Sequence, residues 1–144
     1  MNQHLLNNLL LGLPTMVACL LLQALLISAA IRYYKGREHR LGAGSFWTTT
    51  GVITGVMMLL TAGNLAQIAV WALLFRLLGE FEQYGEAFYH SAVNFATLGY
   101  GDIVMSAHHK LLGPLEALNG ALMIGASTAT LMLAFQGWIQ KSTK

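Results

Sequence analysis

The six residues Thr97-Leu98-Gly99-Tyr100-Gly101-Asp102 carry the most distinctive chemistry in the chain. Glycines at alternate positions break a helix and admit backbone angles that other residues avoid. The stretch leading into them, Ala87 to Gly101, is uncharged and semi-apolar but too short to cross a bilayer. That length suits a re-entrant or interfacial segment. Irregular backbone at membrane depth is tolerated only inside protein or along a water-filled path. The other reactive side chains are sparse. His108 and His109 form a pair suited to metal binding or pH sensing, but without a third ligand they read as solvated loop residues. Cys19 is the single cysteine, which excludes an intrachain disulfide framework and a Cys-based zinc site, and it reads as a small buried hydrophobe. Ser, His and Asp, or paired carboxylates, do not fall at spacings that would set a nucleophile beside a base, so an enzyme is not expected.

The elements that must position these residues follow from composition. The chain has 144 residues, 56% of them hydrophobic and only 10% charged, where a typical soluble domain is about 25% charged. Six acids and eight bases cannot cover the large relative surface of a small soluble domain. A formal charge of +2 is too small for a nucleic-acid footprint. An all-α integral membrane protein is expected, with three transmembrane helices. The apolar runs are Leu9 to Ile31, Thr48 to Phe75 and Pro114 to Ile139, each long enough for the roughly 20 residues a span needs. The first is expected to be retained rather than cleaved as a signal. Met1-Asn2-Gln3-His4 lacks a basic n-region, and the basic residues follow the run instead.

Basic residues set the expected orientation. Arg32, Lys35, Arg37 and Arg40 lie between the first two runs and Lys141 and Lys144 after the third, with only Arg76 and Lys110 on the other side. The positive-inside rule then puts the N-terminus outside and the 32–47 loop and C-terminus in the cytoplasm. Glu80, Glu82, Glu86, Asp102 and Glu116 fall on the outer side, with Glu38 inside, which would draw cations to an outer vestibule. A multi-pass protein of the plasma (inner) membrane is expected.

A short helix starting near Gly85 and Glu86, then Thr-Leu-Gly-Tyr-Gly-Asp, then a final apolar helix, resembles the pore signature of tetrameric potassium channels. The resemblance covers about residues 48–139. It implies two parts: an N-terminal helix with a basic loop over 1–47, and a pore domain over 48–144 made of outer helix, re-entrant pore helix, selectivity-filter loop and inner helix. It implies a homotetramer in a lipid bilayer, passive conduction of K+, no cofactor beyond K+ itself and no nucleic-acid partner. The carbonyls of Thr97, Leu98, Gly99 and Tyr100, with the Thr97 hydroxyl, would replace the hydration shell of K+, with Gly101 and Asp102 as support. The C-terminal end of the pore helix would aim its partial negative charge at a central cavity. A less selective cation channel and a non-conducting accessory subunit are the alternatives.

The chain departs from the family's commonest pattern. Leu98 replaces valine, Ala96 and Asn94 replace threonines, Val93 stands where some members carry a glutamate that pairs with the filter aspartate, and Tyr89 and His90 replace tryptophans. A different tether for Asp102 is therefore expected. Gly113-Pro114 fits a helix start with Pro at the first helical position, and Glu116 reads as a first-turn acid complementing the dipole, with a role behind the filter as the alternative. Gly125 and Gly120 are candidates for a gating hinge or for close packing, the latter with Ala121, Gly125 and Ala129 at four-residue spacing. Gly51 and Gly55 read as packing glycines, and Asn64 and Gln67 as interhelical hydrogen bonders. None of the three apolar runs carries arginines at three-residue spacing, so a voltage sensor of the usual kind is not expected. The first helix reads as packing against the outer helix.

Overall fold

The computed structural model describes residues 3–41 and 46–142, with the side chains of 38–41, 46, 138 and 140–142 excluded. Four helices make up its regular structure: α1 (Gln3–Leu41), α2 (Phe46–Leu77), α3 (Tyr84–Phe95) and α4 (Leu112–Ser142). Helices α1, α2 and α4 are long and apolar enough to cross a membrane. Each runs past its apolar run into polar sequence, because a continuing helix keeps its own backbone groups bonded through the interface. Glu38, Arg40 and Lys141 of the charge asymmetry have undescribed side chains, and Lys144 lies outside the described residues.

Helix α2 stops in a Schellman motif. Gly79 takes φ +75, and Glu80 N–H bonds Phe75 C=O at 3.1 Å while Gly79 N–H bonds Arg76 C=O at 3.2 Å. Glycine supplies the left-handed turn without a Cβ penalty. Helix α3 begins one residue before Gly85, with Glu86 in its first turn. Helix α4 begins at Leu112, so Pro114 is its third residue rather than its first. Leu112 N–H still bonds His109 C=O at 2.9 Å, a turn that starts the helix ahead of the proline.

The sequence places α1 on the outer helix alone. In the structure it lies along both α2 and α4. Met16 and Cys19 of α1 share one core with Trp71, Ala72 and Phe75 of α2, Ala87 of α3 and Leu112 of α4. Toward the opposite end Ala30 packs with Val56 and Leu60, flanked by Tyr33, Tyr34 and Leu131. Glycines allow the close approach. A Cβ on Gly63 would stand 2.2 Å from the Leu26 side chain, and one on Gly55 2.5 Å from the Tyr33 hydroxyl. Gly51, its partner in the Gly-x-x-x-Gly pair, meets nothing within 4 Å.

A buried polar junction fixes the register of the three long helices. Gln67 Nε2 donates to Gln23 Oε1 at 2.8 Å, and Gln23 Nε2 donates to Ser127 Oγ at 2.9 Å and to the Met123 carbonyl at 3.4 Å. Ser127 Oγ in turn reaches Asn64 Oδ1 at 3.5 Å. Lipid tails supply no hydrophobic drive between helices, so such bonds, with close packing, hold spans together.

Candidate functional site

Helix α3 is held between α2 and α4 by side chains on its buried face. Ser91 is fully buried, and its hydroxyl donates to the Ile68 carbonyl of α2 at 2.8 Å and contacts Glu116 Oε1 of α4. Asn94 uses both protons of its amide. One goes to Glu116 Oε2 at 3.3 Å and the other to His90 Nε2 at 2.9 Å. His90 Nδ1–H then donates to the Ile103 carbonyl at 3.0 Å. That pattern needs one protonated and one free ring nitrogen, the neutral imidazole. Burial, which disfavours the charged ring, also lowers the His90 pKa. The result is a continuous bridge from α4 through α3 to the segment after Asp102.

This corrects the reading of Glu116. It sits in the second turn of α4, not the first, and its carboxyl is buried against α3 instead of capping its own helix. The position that the family often fills with threonine is filled here by Asn94, whose amide does the bonding behind the 97–102 segment.

The backbone leaves α3 through Thr97 N–H to Asn94 C=O at 2.8 Å and Leu98 N–H to Val93 C=O at 2.9 Å. It then alternates hand. Thr97 takes φ +59, Gly99 +60 and Gly101 +73, whereas Leu98 and Tyr100 stay at negative φ. In an extended strand successive carbonyls point to opposite sides. Alternation in the sign of φ departs from that pattern, and where the hands alternate, as in backbone nests, successive N–H groups turn to one side. Glycine takes the left-handed region freely. For Thr97 it costs of order 1–3 kcal/mol and persists only where the surroundings over-determine it. Thr97, Leu98, Gly99, Tyr100 and Gly101 are all exposed in the single chain.

Asp102 is tethered as the departures at 89 and 93 predict, by a different partner. The Tyr89 hydroxyl donates to Asp102 Oδ2 at 2.7 Å. That bond holds the Asp102 carboxyl below its ordinary value and raises the Tyr89 phenol. Val93 is buried and, as an apolar side chain, has no hydrogen bond to offer Asp102. A second tie, absent from the sequence reading, is centred on Glu80 just past the end of α2. Its carboxylate accepts from Ser106 N–H at 2.6 Å and from Ser106 Oγ at 2.7 Å, and pairs with His109 Nδ1 at 2.5 Å. Burial pulls the Glu80 carboxyl upward, but the Ser106 hydroxyl, its backbone N–H and His109 outweigh it and hold the group below its ordinary value. His109 is therefore a structural partner and not a free loop residue. Nothing in its sequence spacing from Glu80 could have signalled this. His108 points the other way, to α1.

The two glycines of α4 separate. A Cβ on Gly120 would stand 2.0 Å from the Phe95 carbonyl oxygen, so Gly120 lets the end of α3 lie on α4. Gly125 meets nothing within 4 Å, and Ala121 and Ala129 beside it are exposed. The small-residue row therefore does not pack inside the chain. It lies on a face of α4 left open by the other helices.

A family model described as an ion channel matches residues 59–136, more than half of the chain, from within α2 through α3 and the 97–102 segment into α4. No curated protein and no solved structure matches the chain.

Proposed function

Since the chain belongs to the two-transmembrane, pore-loop ion-channel family, we propose that four copies surround one axis and conduct K+ passively through residues 97–101. One chain supplies a single strand, which cannot enclose an ion, and like subunits close naturally into a ring. The observation that carries this reading is the alternating hand at Thr97, Gly99 and Gly101. It favours a row of carbonyls from Thr97, Leu98, Gly99 and Tyr100 on one side, a hard oxygen lining suited to a dehydrated alkali cation. Gly101 and Asp102 close the outer mouth, Asp102 through Tyr89. Gly125 is the hinge candidate, because it is free of contacts within the chain, and Gly120 serves packing. The channel needs no cofactor beyond the K+ it carries.

The N-terminus is assigned to the outside and the basic 32–47 stretch and C-terminus to the cytoplasm of the plasma (inner) membrane, following the basic residues of that stretch and tail. The pore unit is assigned to 48–144, with α1 appended ahead of it. The test is flux from liposomes holding the purified full chain. K+ efflux should be fast, blocked by a pore blocker, and well above Na+ efflux. Equal K+ and Na+ flux would favour the less selective cation channel. No flux from well-inserted tetramers would favour a non-conducting subunit.

A further inference from the structure

The pore reading leaves one side-chain cluster unused. His4, in the first turn of α1, and His108, in the segment between Asp102 and α4, meet across 104 positions of sequence. Their Nδ1 atoms face each other at 3.5 Å, with ring centroids 4.7 Å apart and planes tilted by 54°. Both side chains are exposed. The approach is held from below. Asn8, one turn along α1 from His4, is buried and donates through Nδ2 to the His108 carbonyl at 2.8 Å. This fixes the backbone that carries one ring to the helix that carries the other. The Asn8 Oδ1 has no hydrogen-bond partner among the described residues.

We infer that His4 and His108 form a site for a divalent transition-metal ion of the zinc class, which pins α1 to the segment following the proposed filter. The argument is one of bite distance. Zinc–imidazole bonds of about 2.0–2.1 Å at a tetrahedral angle put two nitrogens about 3.3–3.4 Å apart. A linear pair would need about 4.1 Å. The observed 3.5 Å is the edge of a zinc tetrahedron to within a small ring rotation. Neutral imidazole is also the commonest metal ligand. Among the described residues no third His, Cys, Asp or Glu joins the pair, so water completes the coordination. His109 is drawn away by Glu80 and stays out of the site. Each chain carries one such site, and it uses none of the 97–101 carbonyls.

The test uses the full chain in detergent, stripped with chelator and with any affinity tag removed. Zinc is titrated by calorimetry, and Cu2+ is added separately for electron paramagnetic resonance. One zinc per chain is expected, with hyperfine structure from two equivalent nitrogens in the copper spectrum. His4→Ala and His108→Ala should each weaken zinc at least about tenfold, with unchanged elution on size exclusion. His109→Ala should stay within about threefold of the parent. His4→Asp keeps a ligand at that position and should recover part of the affinity lost in His4→Ala. No zinc binding by the parent chain would overturn the site, leaving the pair as an imidazole–imidazole hydrogen bond. So would affinity unchanged in both alanine variants, or affinity lost in His109→Ala, which would move the ion to Glu80. None of these readings depends on conduction, so failure of the pore proposal and failure of this one are separable.

Discussion

A methyl group at residue 99 would find open space in a single chain, yet φ +60 makes the position hostile to any side chain. The expected penalty for Gly99→Ala is therefore conformational, of order 1–3 kcal/mol per strand, and it recurs in each of four strands. K+ over Na+ permeability should collapse in that variant while the helices still insert. Leu98→Val keeps the backbone carbonyl proposed to meet the ion and removes one methylene, so selectivity should survive. Bi-ionic reversal potentials separate the two, and equal ratios for parent and Gly99→Ala would sink the assignment. Glu80 gives the pH dependence. Its folded pKa is lowered, so its contribution to stability is complete above the ordinary carboxylate value and fades as pH falls through the lowered one. Glu80→Gln should melt earlier than the parent at neutral pH, and the gap should narrow as pH falls below the ordinary carboxylate value. Thermal melts across pH check it. A gap that widens in acid would contradict the sign.

The two glycines of α4 make the sharpest contrast between elements. Gly120→Ala drives a Cβ into the Phe95 carbonyl, and overpacking of this kind costs typically about 1–3 kcal/mol. Gly125→Ala meets nothing in the chain and gains helix propensity of about 1 kcal/mol. The first should lower the melting temperature of the assembled protein. The second should leave or raise it and shift open probability, measured in single-channel records. If Gly120→Ala melts normally, α3 does not rest on α4 as described. What could be read from sequence follows the same division. The three spans, the short α3 and the 97–102 segment were legible because apolar length and alternate glycines are local signals. The docking of α1 onto α4 was not. A span that is apolar all round has no stripe to say which side faces protein. The sequence favours capping over a place behind the filter for Glu116 for a related reason. Its long side chain reaches another helix, and no periodicity records a partner in α3. The exchange of Asp102's tether to Tyr89 was half visible, as a missing partner at Val93 whose replacement needed geometry.

For the whole molecule the prediction is a closed ring of four with the basic 32–47 stretch in the cytoplasm. Cross-linking in mild detergent should stop at four, and a dominant dimer would count against the pore. With Cys19→Ser as background, Gly36→Cys should resist an impermeant thiol reagent applied outside, and ready labelling would invert the topology. Residue 36 suits the test because it is exposed and meets nothing within 4 Å. The junction of Gln23, Gln67, Asn64 and Ser127 bears on how such a protein comes into being. Translation delivers α1 to the bilayer before either of its partners. A Gln23 amide left in hydrocarbon without a bond would cost several kcal/mol. Helix α2 supplies one bond through Gln67, and α4 another through Ser127. The first span thus presents an open polar group that both later spans fill.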